Sequence, residues 1–599
     1  MNRIDLCVLI FRPLKSEEVD ELNSCESEVS VFTINAKYAA DLKLPIKVFN
    51  SQDLTRHEDF AKECIQNLGH THSKSNLSLI EQTTFNGVVL WHPVRFGVYH
   101  KFKNALIQKS ITEQFGSDSM GSIRIYTNDQ LLNKLIPDAD IRLAQVSTNK
   151  TKTVSPLKFA VLFLIRSLIG LVRNGFPDKG KRIILNTVSP LSPMINANGD
   201  KEVNGLAHLH YFFKKVEQEK EFAFVSAMKF IGVKDGLFPI GQTCFSSYPA
   251  SKIYHFESFV LMSLMSPKAI KRLVKYWRDL GNIFPVDEND ISRVLFADFK
   301  KRRVQFIYAA VLVLGGVRML EKMAPVCIGG DNEHSFVKRP ILGAAKKMGI
   351  TTYAIQHGDI HRNNFNYRFT KEDPISQLHP DMTVVWGRQT KEALVASSFY
   401  NPDNIKVVGQ IRTDAISELK SRFQREANKR PYTVLFASQP FFDQALRKKM
   451  YVDFNKAAQH LPEVRFIHKP HPGETDWSFF NNIDEELGYK VNRSDQDLYV
   501  LLAQANAVVT GFSTVGIEAA YFECDLIVMD YQNEDLAGYV NDKVALQGTD
   551  HLKLIDFVMQ LSSGDILLDS ELRLEYIKRR VHAIDGNTSE RVKAVIESL

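Results

Sequence analysis

Cysteine is scarce in this sequence. Six occur in 599 residues, Cys7, Cys25, Cys64, Cys244, Cys327 and Cys524, scattered and never as a CxxC pair. That argues against a zinc site or a disulfide scaffold and predicts a reducing compartment. Met1 to Phe11 has no basic stretch leading into a long apolar core, so no signal peptide is expected and a cytoplasmic protein is the default. Charge of one sign is also lacking: 75 Lys and Arg against 69 Asp and Glu leave a net +6. So small an excess favours acidic partners such as sugar nucleotides or anionic lipid, and argues little for nucleic acid. No internal repeat and no low-complexity tract is present. No Asp-x-Asp triplet closes a predicted strand, so no essential metal is expected.

An uninterrupted apolar run of about 20 residues, the length of a spanning helix, is missing too. Leu157 to Val172 is apolar but broken by Arg166, with Lys158 and Arg173 near its ends. It predicts either a core helix or a helix lying on a membrane surface, not a span. Phe306 to Leu320 is similar and ends before a strand, as a core helix would. The basic run Lys268 to Arg278, with Tyr276 and Trp277, reads as a solvated helix face that could also touch lipid headgroups.

What is present is alternation. Short apolar, β-branched runs recur with helical stretches between most of them: Gly87 to Trp91, Ile123 to Thr127, Arg182 to Asn186, Val326 to Ile328, Thr352 to Ile355, Thr383 to Trp386 and Ile405 to Val408. After a charged connecting stretch, Arg412 to Pro431, a second series runs through Thr433 to Phe436, Val464 to Ile467, Ala507 to Val509 and Leu526 to Met529. Helices are expected from about Tyr99 to Phe115, over His208 to Gln218 and around Glu571 to Val581. The pattern predicts an α/β protein of parallel βαβ units. We divide it into an N-terminal α/β region (1–150), an apolar helix and junction (151–180), a first Rossmann-like domain (181–412) and a second (413–599).

The chemistry-bearing residues gather at predicted strand ends, where open α/β sheets bind ligands. Lys469-Pro470-His471-Pro472-Gly473-Glu474 closes the Val464 to Ile467 run. About forty residues on, Gly511-Phe512-Ser513-Thr514 opens a helix that carries Glu518. Ser438 and Gln439 follow the Thr433 to Phe436 strand and complete the candidate set for nucleotide binding. A Lys and a His on one loop with two hydroxyls on another suit a phosphate. Each has a plainer use: the prolines stiffen a turn, Ser513 or Thr514 caps the helix, and Glu518 favours a helix N-terminus.

In the first half, Asp331, Glu333, His357 and Asp359 lie just past two successive strands and are candidates for a general base. Here the alternatives are helix capping by Asp331 or Glu333 and a backbone-bonded His357. His208 and His210 are expected to be structural, since no third ligand stands at metal spacing.

The Lys-Pro-His-Pro loop, the Gly-x-Ser-Thr helix start and Gln356-His357-Gly358, in this order, resemble the motifs of bacterial GT-B glycosyltransferases. The nearest groups are sialyltransferases, capsular Kdo transferases and the polyglycerolphosphate transferases of teichoic acid synthesis. The likeness spans roughly Arg182 to Val581. It implies two Rossmann-like domains facing a cleft, with residues 1–150 as an N-terminal extension. It further implies no cofactor beyond a nucleotide-sugar donor, CMP-linked and acidic (Kdo or a nonulosonic acid), with Glu518 at the ribose. The acceptor would be a glycan, glycolipid or glycoprotein of a bacterial surface polysaccharide pathway, at the cytoplasmic face of the membrane. The acidic Asp/Glu-Asp/Glu-Gly motif that supplies the sialyltransferase base has no counterpart; Gln356-His357-Gly358-Asp359 stands where it would be sought. Two alternatives remain open: a UDP-sugar enzyme of the same fold, such as a 2-epimerase, and a non-catalytic partner in polysaccharide assembly.

Overall fold

The computed structural model describes residues 6–25, 28–49, 51–72, 76–117, 122–137, 139–143, 156–174, 177–187, 192–195, 201–206, 209–228, 253–283, 290–360, 364–427, 431–439, 444–471, 474, 477–531, 535 and 538–599. Three parallel sheets follow one another along the chain. The first has five strands, β1 (Leu6–Ile10), β2 (Val29–Thr33), β3 (Ile46–Val48), β4 (Ser122–Thr127) and β5 (Asp140–Leu143), in the order β3-β2-β1-β4-β5. The second has seven, β6 (Arg182–Thr187), β7 (Phe222–Ala227), β8 (Ile253–His255), β9 (Cys327–Asp331), β10 (Thr351–Ile355), β11 (Met382–Val385) and β12 (Ile405–Val407), in the order β8-β7-β6-β9-β10-β11-β12. The third has six, β13 (Thr433–Ala437), β14 (Arg465–Lys469), β15 (Asn492–Arg493), β16 (Ala507–Thr510), β17 (Asp525–Met529) and β18 (Leu546–Gly548), in the order β15-β14-β13-β16-β17-β18.

In every sheet the first strand lies inside, the next two fall to one side and the rest to the other. That is the doubly wound order, whose crevice opens where the winding reverses. The central strands are buried along their whole length, as parallel strands covered by helices on both faces must be. The fold is therefore α/β, with two Rossmann-type domains and a further α/β unit before them.

Some local expectations are corrected. Gly87 to Trp91 is not a strand of a sheet. Asn86 and Gly87 both take positive φ (49° and 77°), forming the turn of a small hairpin, Thr84–Phe85 with Val88–Val89. Asn-Gly is the pair such a turn demands. The helix that follows runs Trp91–Ser117, starting well before Tyr99; Pro93 is tolerated because it sits in the first turn. Strands β1, β2, β3, β5, β7, β8, β15 and β18 are not among the sequence-predicted runs. Phe222–Ala227 has one β-branched residue, Val225, among Ala and Ser, and Ile253–His255 is three residues long.

Helix Pro156–Asn174 lies on helix Phe256–Leu264. Its Arg166 is buried and donates from Nε to Glu257 Oε2 at 2.9 Å and from Nη2 to the Ser226 carbonyl at 3.1 Å. Among the described residues one helix, Arg303–Met323, is long and apolar enough to cross a membrane, and 56% of its apolar window is buried in the protein. It packs between helix Phe256–Leu264 and helix Lys338–Lys347, so its apolarity serves the core.

The two later domains are tied together twice. Helix Ile416–Ala427 fills the charged connection. The last helix, Thr588–Glu597, returns to the middle domain, where Val592 and Ile596 join the core of Ile184 and Phe213. There Arg182 donates to the Glu597 carbonyl at 2.7 Å.

Candidate functional site

Strand β13 lies between β14 and β16. The loops leaving the carboxyl ends of these three strands are therefore neighbours, at the point where the winding reverses. The described nucleotide-binding candidates sit at the ends of these strands, on these loops or on the helix that follows. Thr510 Oγ1 donates to the Ala437 carbonyl at 3.2 Å, stitching the end of β16 to the end of β13.

The organiser of this edge is Glu474, a residue the sequence alone did not mark as functional. Its carboxylate is buried. Oε2 accepts from the His471 backbone N–H at 2.9 Å and from the Ser438 hydroxyl, and Oε1 accepts from Arg447 Nε at 2.9 Å. Arg447 in turn stacks over Phe479 at 3.8 Å. His468 Nε2 is 2.9 Å from the Ser438 hydroxyl, and the Ser438 N–H donates to the Lys469 carbonyl at 3.2 Å. Burial drives the His468 imidazole down to about 3, with Arg493 and Arg447 adding to the effect, so it stays neutral. Ser438 is consequently spent on building the loop. The signal was available: an acidic residue three places after His471 is the spacing at which a side chain reaches back to a backbone N–H.

The result is a loop held from inside with its functional groups turned outward. His471 is exposed and Lys469 half-buried. Burial lowers the Lys469 pKa, while Asp497 and Asp495 pull it upward. Gln439 is half-buried beside them in sequence, and Gly511 is buried. Pro472 lies outside the described residues. Asp495-Gln496-Asp497 corrects an expectation, because this Asp-x-Asp triplet does follow a strand, β15, which is too short to read from sequence. Asp497 caps the next turn through Tyr499 N–H at 2.8 Å. The ground given for expecting no metal therefore fails at this edge.

Ser513 and Thr514 divide their uses. Ser513 Oγ accepts from Val515 N–H at 3.2 Å, the capping role. Thr514 is exposed and makes no cap bond. Glu518 is taken up locally: Oε1 accepts from Arg412 Nη1 at 2.9 Å and from the Tyr499 hydroxyl at 3.1 Å. Arg412 lies over the Tyr499 ring at 4.2 Å, so this carboxylate fastens the interdomain connection to the site.

Opposite stand the loops of the middle sheet. The Gln356 side chain accepts from Trp386 N–H at 2.8 Å and donates to the Gly358 carbonyl at 2.9 Å. Trp386 Nε1 donates to the Gln356 carbonyl at 3.1 Å. This clamp fixes the turn that presents half-buried His357 and exposed Asp359. The turn reaches the other domain. Burial raises the Tyr539 and Tyr576 phenols first, and the Asp359 charge adds to the rise of both. Tyr539 also donates to the Ser513 carbonyl at 2.7 Å. Close by, Gly387 allows the two backbones to touch, since a side chain there would run into Arg579 and Arg580.

Asp331 and Glu333 do not join that group. Asp331 is buried at the end of β9 in an ion pair with Lys338, whose ammonium also donates to the Asp331 carbonyl at 2.5 Å. Glu333 is buried, with Oε1 3.3 Å from His334 Nε2. Burial pushes its carboxyl up to about 7. It lines a cavity against the N-terminal hairpin. His210 opens a core helix, and His208 lies outside the described residues.

No protein-family profile matches the chain. No curated protein matches it either. Solved structures of similar shape exist. The UDP-GlcNAc 2-epimerase of Neisseria meningitidis bound to UDP-GlcNAc shares 11% identity, over 70% of this chain and 100% of its own, at a TM-score of 0.43. That of Methanocaldococcus jannaschii shares 12% over 70% and 100%, at 0.41. The wall teichoic acid polymerase TagF, in a structure with CDPG, shares 12% over 74% and 95%, at 0.40. Identities and scores of this size transfer no residue's role.

Proposed function

We propose that the chain is a GT-B glycosyltransferase that transfers a sugar from a nucleotide donor, CMP-linked and acidic, to a glycan, glycolipid or glycoprotein acceptor of a bacterial surface polysaccharide. The observation that carries this reading is the loop built by Glu474, which holds outward-facing Lys469 and His471 at the reversal point across from the Gln356–Asp359 turn. In it, Lys469 and His471 neutralise the donor phosphate as the glycosidic bond breaks. Thr514 hydrogen-bonds the same phosphate. Asp359 or His357 takes the proton of the acceptor hydroxyl. Glu518 acts through Arg412 to position the donor loops, not at the ribose.

The 2-epimerase alternative needs a carboxylate pair in the cleft for proton abstraction. Asp331 bound to Lys338 and Glu333 turned to another cavity speak against it. The test is a thermal-shift panel of CMP, CDP, UDP and GDP. A ligand at a hundred times its Kd stabilises the native state by about 2.7 kcal/mol. CMP and CDP are expected to raise the melting temperature; a response confined to UDP moves the donor assignment to a UDP-sugar. Donor hydrolysis without acceptor separates an enzyme from a non-catalytic partner.

The same reading puts the enzyme at the membrane surface. Helix Pro156–Asn174 buries one face, yet Val161, Leu164, Leu168, Leu171 and Val172 are exposed on another. Helix Pro267–Gly281 exposes Ile270, Val274 and Trp277 among Lys271, Lys275 and Arg278. Apolar groups interleaved with cations suit an anionic bilayer.

A further inference from the structure

A second cavity lies away from the cleft. It has a volume of about 320 Å³ and opens between the N-terminal hairpin at Gly87–Val89 and the helix Lys338–Lys347. Its far wall is the segment Ser376–Pro380, and Thr352, at the start of β10, forms part of its floor. Glu333, beyond the carboxyl end of β9, shares this lining with Thr352 near the amino end of β10, but Lys469, His471, Thr514, His357 and Asp359 do not line it, so it is a separate place.

Its lining is polar in an unusual way. Arg339 is buried to within 6% of its surface, and its Nε finds no hydrogen-bond partner. His379, on the facing wall, is 7% exposed, stacked on Tyr400 at 3.7 Å, and its Nε2 also lacks one. Buried donors and acceptors are almost always paired, and leaving one unpaired is costly. Two further cations belong to the lining, Lys346 and Lys347. Lys346 is bound to Asp381 at 2.6 Å. Lys347 is exposed and its stem runs beside Gly87, at the mouth. Among the described residues Glu333 is the only acid of the lining, and Asp381 pairs Lys346 from outside it, so three cations meet two carboxyl groups. Hydroxyl and amide groups of Ser376 and Gln377 complete the polar part, while the Thr352 hydroxyl is taken up by Asp381 at 2.8 Å.

We propose that this cavity is a binding site for a small phosphorylated polyol, a sugar phosphate, distinct from the donor cleft. The phosphate sits among Arg339, Lys346 and Lys347, where guanidinium and ammonium donors meet a dianion. The polyol reaches Ser376 and Gln377. The volume falls at the small end of ligand cavities, which form preferentially between domains. Because one wall belongs to the N-terminal hairpin, occupancy also holds residues 84–89 against the middle domain. The inference does not depend on the glycosyltransferase reading.

Calorimetric titration of the full chain with glucose 6-phosphate, inorganic phosphate and glucose tests it. Glucose 6-phosphate is expected to bind with a Kd of about 1 mM or tighter, inorganic phosphate more weakly, and glucose not measurably. Lys347→Glu, at the exposed mouth, is expected to weaken glucose 6-phosphate at least about tenfold without lowering the melting temperature. Arg339→Gln should abolish binding; should it fail to fold, Lys347→Glu still decides. His471→Ala should leave the affinity unchanged. No heat from glucose 6-phosphate, an unchanged affinity in Lys347→Glu, or a loss in His471→Ala would each overturn the proposal, the last by moving the ligand to the cleft.

Discussion

His471 and Glu474 close on each other: the His471 N–H donates to Glu474 Oε2 at 2.9 Å, and the Glu474 N–H donates to the His471 carbonyl at 2.8 Å. The carboxylate is buried and also holds Ser438 and Arg447. Removing it takes the buried counter-ion from Arg447 and an acceptor from the Ser438 hydroxyl. Glu474→Ala is expected to destabilise by about 3–5 kcal/mol, the cost of leaving one partner of a buried pair alone. Glu474→Gln keeps an acceptor and should cost less. Urea unfolding checks both, and equal stability of Glu474→Ala and wild type would refute the organiser role.

His471 itself is exposed, so its loss should not unfold the protein. His471→Ala is expected to remove most activity, with about 2–3 kcal/mol lost from a charge-assisted contact to phosphate. The melting temperature should stay within a degree or so of wild type. A mutant with wild-type turnover and nucleotide affinity ends the donor-site assignment.

The four carboxylate and imidazole candidates should now separate by phenotype. Asp359→Asn or His357→Ala is expected to abolish turnover with nucleotide affinity nearly unchanged, the mark of an interaction made at the reacting centre. Asp331→Asn should instead lower stability, because it leaves buried Lys338 without its counter-ion. Single-turnover rates and nucleotide titrations on the same preparations distinguish the two. If Asp359→Asn and His357→Ala both keep full turnover, neither is the base.

The last two sheets are largely legible because parallel strands buried on both faces must be continuous apolar runs, and β13, β16 and β17 are close to such runs. Short strands such as β3, β8, β15 and β18 carry too little signal, and β1, β2, β5 and β7 go unpredicted although β1 is a buried apolar run. Residue types also do not say which way a side chain turns. Asp331 closes strand β9 and Glu333 stands beyond it, yet one binds Lys338 and the other faces the hairpin. Those partners come from tertiary packing, and no spacing announces them. Glu474 shows the converse: its motif was visible, but its burial was not.

Glu333 supplies a pH signature. Burial raises its carboxyl from 4.5 to about 7 in the folded chain. A raised acid binds its proton more tightly when folded. Its contribution is therefore full below about 4.5 and is lost as pH climbs through about 7, on the order of 3 kcal/mol in all. His334, Tyr367 and Arg339 face this carboxyl, and burial holds His334 neutral, so it adds no opposing titration. Wild type is expected to lose more stability than Glu333→Gln between pH 5 and pH 8. Parallel thermal melts of the two measure it, and superimposable profiles would rule it out.

The membrane reading rests on which face of helix Pro156–Asn174 is committed. Arg166 is locked to Glu257 and Ser226, so the helix cannot roll to bury its other side. Leu164 and Leu168 are 49% and 57% exposed. Sinking each into an interface removes roughly half a leucine from water, about 1 kcal/mol apiece, and nearby cations add attraction to anionic headgroups. The double variant Leu164→Glu, Leu168→Glu is expected to lose flotation with anionic vesicles while its melting temperature barely changes. Arg166→Ala should do the reverse at first order, costing about 3–5 kcal/mol of stability by leaving Glu257 uncompensated. If the leucine variant floats as wild type does, the exposed stripe has no part in membrane contact. If it floats normally and also melts early, the stripe belongs to a protein contact instead.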